Sequence, residues 1–345
     1  MKALSLEQYK QFQYGDFPDP EFGEDDVLLR VHACGICGSD VHGMDGSSGR
    51  RIPPIIMGHE ASGVIEKVGS KVTGWEPGDR VTFDSTVFCG ACDYCKNGQI
   101  NLCDNRRVMG VSCGDYRQHG AYAELVSVPA RILFRVPDDL SFEQAAFVEP
   151  VSIALHAVSL LPIRGGETAV VVGAGMIGLL VLQALRAAGC GRVICVDLDA
   201  SKLEMAKQLG ADETFLSDAQ TAEKIIDLTG GGADIAMEVV GISPTFNLAV
   251  SCLRKGGKLG AVGNLAAEAS FPLQAVVTRE LTIYGSCACN GEYALALQAI
   301  SDGSIDVGPL MSKVAPLSEG ADWFERLYAG EKDLLKVILK PDAVC

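Results

Sequence analysis

Basic side chains are scarce in this chain of 345 residues: 29 lysines and arginines stand against 44 aspartates and glutamates, a net charge of −15. Such a surface repels phosphate polyanions and anionic bilayers, so neither a nucleic-acid nor a membrane partner is expected. Long apolar runs are lacking too. Stretches such as Ala169 to Gly175 and Ile177 to Ala184 are bounded or broken by glycine and fall far short of the ~20 residues a spanning helix needs. Met1 to Gln13 carries Glu7 and Lys10 and lacks the charged, apolar, small-residue layout of a secretion signal, so a cytoplasmic protein is expected. Charged residues make up only 21% of the chain against 48% hydrophobic, which argues against disorder and permits a buried core. The length suits two domains.

Cysteine, by contrast, is plentiful. Thirteen is an odd number, and without a signal peptide the expected states are thiols or metal ligands, because reducing compartments disfavour disulfides. Cys89, Cys92, Cys95 and Cys103 fall in CGACDYCKNGQINLC, a C-x2-C-x2-C-x7-C spacing. Four thiolates on a short irregular loop can close a tetrahedral Zn²⁺ site with no open position, the layout of a structural zinc. Cys34, Cys113, Cys190, Cys195, Cys252, Cys287, Cys289 and Cys345 show no ligand spacing and are read as small hydrophobes without a role. Cys37 differs: it lies in ACGICGSDVHG, with Ser39, Asp40 and His42 immediately after it.

Two patterns divide the chain. Up to about residue 150, VLLRVHACG, ASGVIEKVG and DRVTF alternate apolar and polar positions between turn signals, as short strands of a β-rich domain do. From Glu167, TAVVVGAG, RVICVDLD, ADIAMEVVG and KLGAVG read as strands. GLLVLQALRAAG, SKLEMAKQLGAD, TAEKIIDLTGG and PTFNLAVSCLRKGG read as helices between them. Strict alternation of this kind predicts an α/β doubly wound domain, a parallel sheet covered on both faces. After LTIYGS the alternation stops. The helix candidates GEYALALQAISDG and LSEGADWFERLYAG and the strand-like KVILKP are expected to return to the first domain.

Gly173, Gly175 and Gly178 stand in VVVGAGMIG, directly after a strand run and before a helix. Glycines there allow a tight turn, close approach of a pyrophosphate to backbone N–H groups, and close helix packing. Asp197 ends the next strand, nineteen residues past Gly178, where a carboxylate can accept from the adenosine ribose hydroxyls. Leu198 and Asp199 beside it offer no arginine for a 2′-phosphate, so NAD is expected over NADP. The competing role for Asp197 is to cap the next helix.

In the first domain, Cys37, His59 and a carboxylate would make a three-ligand zinc site with one position left for water or substrate, a catalytic layout. Two carboxylates compete for the third place, Glu60 in MGHEASG and Glu149 in AFVEPVS. Adjacent strand residues point to opposite faces, so His59 and Glu60 share an ion only if the chain bends, as Gly58 would allow. Pro150 is expected to hold Glu149 in extended or turn backbone. Ser39 could take the proton of a bound alcohol and pass it to His42, an imidazole being the side chain suited to a relay near neutral pH. His32, His119 and His156 are read as local hydrogen-bonding residues.

Together these strings resemble the zinc-containing medium-chain alcohol dehydrogenases over essentially the whole chain, and within them the sorbitol (polyol) dehydrogenase branch, through GHE and VEPVSIALHAV. The resemblance implies a GroES-like catalytic domain with its zinc lobe at 1–152 and 287–345, and a Rossmann NAD-binding domain at 153–286. It also implies catalytic zinc on Cys37, His59 and Glu60, with Glu149 as a nearby or exchanging ligand. The expected cofactor contacts are Gly173, Gly175, Met176, Ile177, Gly178, Asp197, Lys202, Val240, Val262 and Gly263. A homo-oligomer, a tetramer before a dimer, is implied as well, and a mean hydropathy of +0.20 is compatible with it. One departure stands out: sorbitol dehydrogenases commonly carry an Arg-Tyr pair just past LTIYGS, whereas this chain reads CACNGEY there.

The expected reaction is therefore transfer of a hydride from a secondary alcohol, a polyol such as sorbitol, to NAD. A dehydrogenase of threonine, a diol or a sugar-alcohol phosphate is the alternative; for a carboxylate substrate Arg50, Arg51 or Arg117 would have to supply a cation. A non-enzymatic NAD-binding sensor or structural subunit is disfavoured by the intact set of Cys37, His59 and Glu60.

Overall fold

Alternation in VLLRVHACG becomes the strand Asp26–Gly35 in the computed structural model, which describes residues 1–342 and leaves Cys345 outside them. This strand is the spine of a seven-stranded sheet. Glu60–Val68 pairs antiparallel along one side of it. On the other side Leu125–Pro129 takes the half from Asp26 to Arg30, and Lys336–Lys340 takes Cys34 and Gly35. The last of these strands arrives from the far end of the sequence, so the chain's terminal segment completes the sheet. Residues Leu29, Ile65, Val81, Phe83, Tyr122, Phe324 and Val337 fill its core, each buried large side chain contributing roughly 1.5–3 kcal/mol. A three-stranded antiparallel sheet of Gln11–Asp16, Lys2–Gln8 and Ile55–Ile56 joins the same unit.

This unit comprises Met1–Glu149, Tyr293–Ser301 and the described residues from Val307 on; a second comprises Pro150–Glu292 with Asp302–Asp306. Cys287–Glu292 thus group with the second unit, where Glu292 binds His156 Nδ1 at 2.8 Å. Asp306 N–H donates to Gln183 Oε1 at 2.7 Å.

The second unit holds a six-stranded parallel sheet in the order Glu213–Leu216, Arg192–Asp197, Thr168–Val172, Ala233–Glu238, Leu253–Ala261 and Thr282–Gly285. In sequence this is 3-2-1-4-5-6, two mononucleotide-type halves meeting at Thr168–Val172 and Ala233–Glu238. Val170, Val172, Ile194, Ala236 and Leu259 are fully or almost fully buried, which accounts for near-continuous apolar strands in place of alternation.

Two local expectations fail. The helix read through LRKGG stops at Cys252, and Leu253–Ala261 is strand. Glycines 256 and 257 are poor helix formers, and the neighbouring parallel strand recruits this backbone from Leu253 onward. Glu149 does not sit in extended or turn backbone: it lies in the first turn of the helix Val148–Ser159. Pro150 is tolerated there because a first-turn N–H needs no intrahelical acceptor, and the N-terminal dipole favours an acidic side chain.

Close packing in the first sheet gives a direct test. A Cβ on Gly63 would lie 2.0 Å from the carbonyl oxygen of Arg30, which is backbone and cannot yield. Gly63→Ala is expected to lower unfolding stability by about 1–3 kcal/mol, measured by urea titration; an unchanged midpoint would contradict this packing.

Candidate metal centres and dinucleotide site

The first centre begins with a bend. Gly58 has φ +98°, and any Cβ there would strike Tyr122 N at 2.8 Å. Immediately after it, His59 precedes the strand that Glu60 opens, so the two side chains escape the alternation of a regular strand. Their ligand atoms and Cys37 Sγ all lie within 4.8 Å of one another. Cys37 is the N-cap of the short helix Gly38–Gly43; its sulfur accepts from Ser39 N–H at 3.4 Å and Ser39 Oγ at 3.2 Å.

Electrostatics show what this cluster wants. Burial, then the Glu60 carboxylate, push the Cys37 thiol up to about 12. Donors that raise one another's proton affinity in this way are stabilised together by a divalent cation, which favours thiolate, carboxylate and neutral imidazole at once. The donor set of one sulfur, one nitrogen and one oxygen suits Zn²⁺ and leaves a coordination position open.

Around the three donors lies a shell of buried ion pairs. Asp40 is fully buried and accepts from Arg51 Nε at 2.7 Å, Arg51 Nη2 at 2.6 Å and Tyr122 OH at 2.9 Å, with Oδ2 3.4 Å from His59 Nδ1. Burial alone would raise its pKa, but the charges of His59 and Arg51 outweigh that and hold it below the usual value. His59 Nδ1 makes no hydrogen bond among the described residues, so Asp40 acts on the imidazole by charge across that gap. Glu60 Oε2 meets Lys336 Nζ at 2.6 Å, both side chains buried, and Lys336 also donates to Ile36 O at 3.1 Å. Gly35 makes room for the pair, since a Cβ there would lie 2.4 Å from Glu60 Oε2. Burial works against the Lys336 charge, yet Glu60 raises its pKa on balance.

Of the two competing carboxylates, only Glu60 joins the converging atoms. Glu149 stands outside them but within electrostatic reach: desolvation pushes its carboxyl up to about 8, His59 opposing and Glu60 and Cys37 adding to the rise. Ser39 and His42 are both exposed on one short helix. The Ser39 hydroxyl donates to Cys37 Sγ and accepts from Arg51 Nη2 at 3.3 Å, and among the described residues no hydrogen bond joins it to His42.

The four-cysteine loop converges as well, its sulfurs all within 4.8 Å of one another. Cys89 Sγ accepts from the N–H groups of Ala91 and Cys92 at 3.4 Å each, which lower its thiol to about 6. Cys103 Sγ accepts from Cys89 N–H at 3.3 Å. Backbone donors aimed at sulfur stabilise thiolates, as a closed zinc site requires.

In the second unit, Gly173 has φ +104°, and a Cβ on it would lie 2.6 Å from Val240 Cγ2. One on Gly178 would lie 1.8 Å from Gly173 O, so the helix Met176–Ala187 packs directly on the turn. Gly175, by contrast, faces no heavy atom within 4 Å, and Met176 and Ile177 beside it are half-buried. Asp197 does not cap the next helix; Asp199 does, through Ser201 N–H at 2.9 Å. Instead Asp197 Oδ2 accepts from Ala174 N–H at 2.6 Å, and Oδ1 from Asp199 N–H at 2.9 Å. Lys202 is half-buried on the helix Ala200–Gln208. Val240, Val262 and Gly263 lie in the loops after the strands Ala233–Glu238 and Leu253–Ala261, and a Cβ on Gly263 would lie 2.3 Å from Val240 C.

Family models match both parts of the chain: an alcohol dehydrogenase GroES-like domain over residues 23–138 and a zinc-binding dehydrogenase over 177–302. Sorbitol dehydrogenase of Bacillus subtilis is 33% identical over 349 aligned residues, covering 99% of this chain and 98% of its own. The chain belongs to the zinc-containing medium-chain alcohol dehydrogenases. Galactitol-1-phosphate dehydrogenase of Escherichia coli superposes with a TM-score of 0.92 at 27% identity, covering 99% of this chain and 100% of its own. A zinc-binding dehydrogenase of Sinorhizobium meliloti bound to NADP gives 0.90 at 31% identity over 99% of both chains. Membership makes this chain a zinc-dependent NAD(P) dehydrogenase built from a GroES-like domain and a Rossmann-type sheet.

Lys336 and Tyr122 escaped the sequence reading, because KVILKP and GAYAEL look like ordinary strand segments until the sheet closes. Arg51, weighed as a substrate cation, is committed to Asp40. His32 stacks on Phe142 with ring centroids 4.4 Å apart, and His119 Nδ1 accepts from Ile56 N–H at 3.2 Å.

Metal analysis separates the centres. The purified protein is expected to carry two zinc ions per chain, one for each converging group. Cys92→Ser should lose one ion and at least ~5 °C in Tm, because binding to a closed structural site is folding free energy. Cys37→Ser should lose the other ion with a smaller change in Tm; full zinc occupancy in either variant would contradict the assignment.

Proposed function

We propose that this chain oxidises a secondary hydroxyl of a polyol to a ketone with NAD. The observation that carries this reading is the convergence of Cys37, His59 and Glu60 in a chain that also carries the Gly173–Gly178 turn and Asp197. Zinc held by those three donors would supply Lewis acidity, lowering the pKa of a hydroxyl bound at the open position. NAD would supply the hydride acceptor.

The chain's own residues account for the rest. Asp40, pinned by Arg51 and Tyr122, faces the imidazole of His59 and would draw its Nδ1–H once the other nitrogen held zinc. Lys336 balances the charge of Glu60, and Glu149 is the second carboxylate available to the centre. Ser39, beside the Cys37 sulfur and exposed, would accept the substrate proton; with no hydrogen bond to His42 among the described residues, its way on to that imidazole would run through solvent water. The ribose-facing role of Asp197 disfavours a 2′-phosphate, although the Sinorhizobium meliloti relative holds NADP. A neutral polyol is supported by the relative named for sorbitol, while the neighbour named for galactitol 1-phosphate speaks for the sugar-alcohol phosphate alternative. For an anionic substrate, Arg50 and Arg117 remain, since Arg51 is buried against Asp40.

A panel of polyols, diols, sugar-alcohol phosphates and threonine, assayed by NAD⁺ reduction, tests this. A neutral polyol should give the highest kcat/KM, NAD⁺ should be preferred over NADP⁺ by at least ~10-fold, and Cys37→Ser should remove turnover. Preference for NADP⁺, or unchanged turnover in Cys37→Ser, would overturn the reading.

We further propose a cytoplasmic homotetramer. The described cysteines stand outside any disulfide, which suits a reducing compartment. Among those residues no helix is long and apolar enough to cross a membrane. The strand Thr282–Gly285 edges the parallel sheet, and Phe271, Leu273, Val277 and Ile283 stand exposed on and before it. An apolar sheet edge of this kind invites pairing with a second copy. Light scattering on the eluting protein should give four times the 36.4 kDa chain mass, and Val277→Asp combined with Ile283→Lys should reduce it; a monomeric wild type refutes the assembly.

A further inference from the structure

Arg51 is buried, and its guanidinium hydrogen-bonds three different residues. Nε and Nη2 hold Asp40 Oδ1 at 2.7 and 2.6 Å, Nη1 donates to Arg50 O at 2.9 Å, and Nη2 also donates to Ser39 Oγ at 3.3 Å. The backbone is fixed independently. Arg51 forms an isolated β-bridge with Ser112, Ile52 N–H donates to Ser112 O at 3.0 Å, and Ser112 N–H donates to Arg50 O at 3.3 Å. Gly43 leaves room for the stem, since a Cβ there would lie 2.7 Å from Arg51 Cγ. A planar fork clamped in this way points its donors in set directions.

Asp40 already supplies the counter-charge that a buried guanidinium requires, so the reach to Ser39 is not needed to neutralise Arg51. What it does is hold an oxygen. A serine hydroxyl has one hydrogen and two lone pairs. The hydrogen of Ser39 goes to Cys37 Sγ at 3.2 Å, and one lone pair takes the Arg51 N–H. Without these partners the exposed Ser39 would turn among three staggered rotamers. With them, one lone pair is left for a substrate hydroxyl, on an oxygen fixed beside the Cys37 sulfur.

We propose that Arg51 is a positioning residue for the proton acceptor Ser39, holding its oxygen so that the remaining lone pair receives the hydrogen of the substrate hydroxyl. This rests on the reading of Ser39 above. The substrate O–H bond breaks as a new O–H bond forms on Oγ, while the original Ser39 hydrogen turns from sulfur and leaves to solvent water. The serine ends neutral, and the hydride goes to NAD⁺. The fixed positive charge of Arg51 opposes a doubly protonated oxygen, so the two transfers stay coupled. Lysine could not do the same, because a single ammonium lacks the fork that holds Asp40 and Ser39 together.

A double-mutant cycle decides, with kcat, KM and zinc content measured for each variant on the best alcohol of the panel. Arg51→Lys should lower kcat ~10-fold, the worth of one hydrogen bond from a charged group, with KM within about twofold and both zinc ions retained. Ser39→Ala should lower kcat ~100-fold, and the double variant should fall no further than Ser39→Ala alone. Cobalt placed in the Cys37 centre gives a readout without turnover: the thiolate-to-metal absorption band should move to longer wavelength in Arg51→Lys and Ser39→Ala alike, as sulfur loses its O–H donor. Losses that add in the double variant, a zinc ion lost in Arg51→Lys, or an unchanged kcat or cobalt band there overturns the proposal, because Arg51 would then act through Asp40 alone or not at all. If Arg51→Lys does not fold, the same cycle is run in Asp40→Asn with Arg51→Met, where no buried charge is left unpaired. Wild-type turnover in Ser39→Ala would instead refute the reading of Ser39.

Discussion

Three electron-pair donors crowd one point in the first unit: Cys37, His59 and Glu60 sit closer together than groups that resist each other's charging would settle unaided. Unit charges 4 Å apart interact by about 4 kcal/mol at the effective dielectric of a protein surface, so the fold must answer this crowding. It does so with two buried counter-ions. Lys336 binds Glu60, and Arg51 binds the Asp40 that faces His59. Neither pair is valuable as stabilisation for its own sake, because desolvation offsets most of the attraction. Their use is geometric: each holds a ligand-bearing side chain where a cation can take it.

The same device recurs in the second unit in a different form. Glu238 has no cation beside it, yet backbone N–H groups and a threonine hydroxyl converge on one of its oxygens. Asp197 likewise spends one oxygen on Ala174 N–H in the glycine turn. Carboxylates in both units therefore organise loops before they meet any ligand. A loop so held is rigid where the reaction needs it to be, which agrees with sites being carried on loops positioned by a stable scaffold.

Much of this was legible from residue order. The four-cysteine spacing, the glycine turn with a later acidic residue, and the Cys37, His59 and Glu60 strings each concentrate unusual residue types within a few positions, and the β-strand and α/β periodicities name most of the elements. Less legible were features set by partners far along the chain. The helix through LRKGG ended early because a parallel strand claimed its backbone from Leu253 onward. Glu149 turned out helical because a first-turn proline gives up nothing there. Lys336 lies 276 residues from Glu60, and no local pattern in KVILKP marks it as anything but strand.

Residue chemistry and short-range spacing by themselves determined the two kinds of domain and the ligand types, since a tetrahedral thiolate loop and a phosphate-binding turn are each built within one short stretch; the family came from the resemblance those strings carry. Only the tertiary structure decided which carboxylate meets Cys37 and His59, which cation compensates it, and that Arg51 reaches both Asp40 and Ser39. Those outcomes depend on sheet register and burial, which bring distant positions within hydrogen-bonding range and remove the water that would otherwise satisfy each group alone.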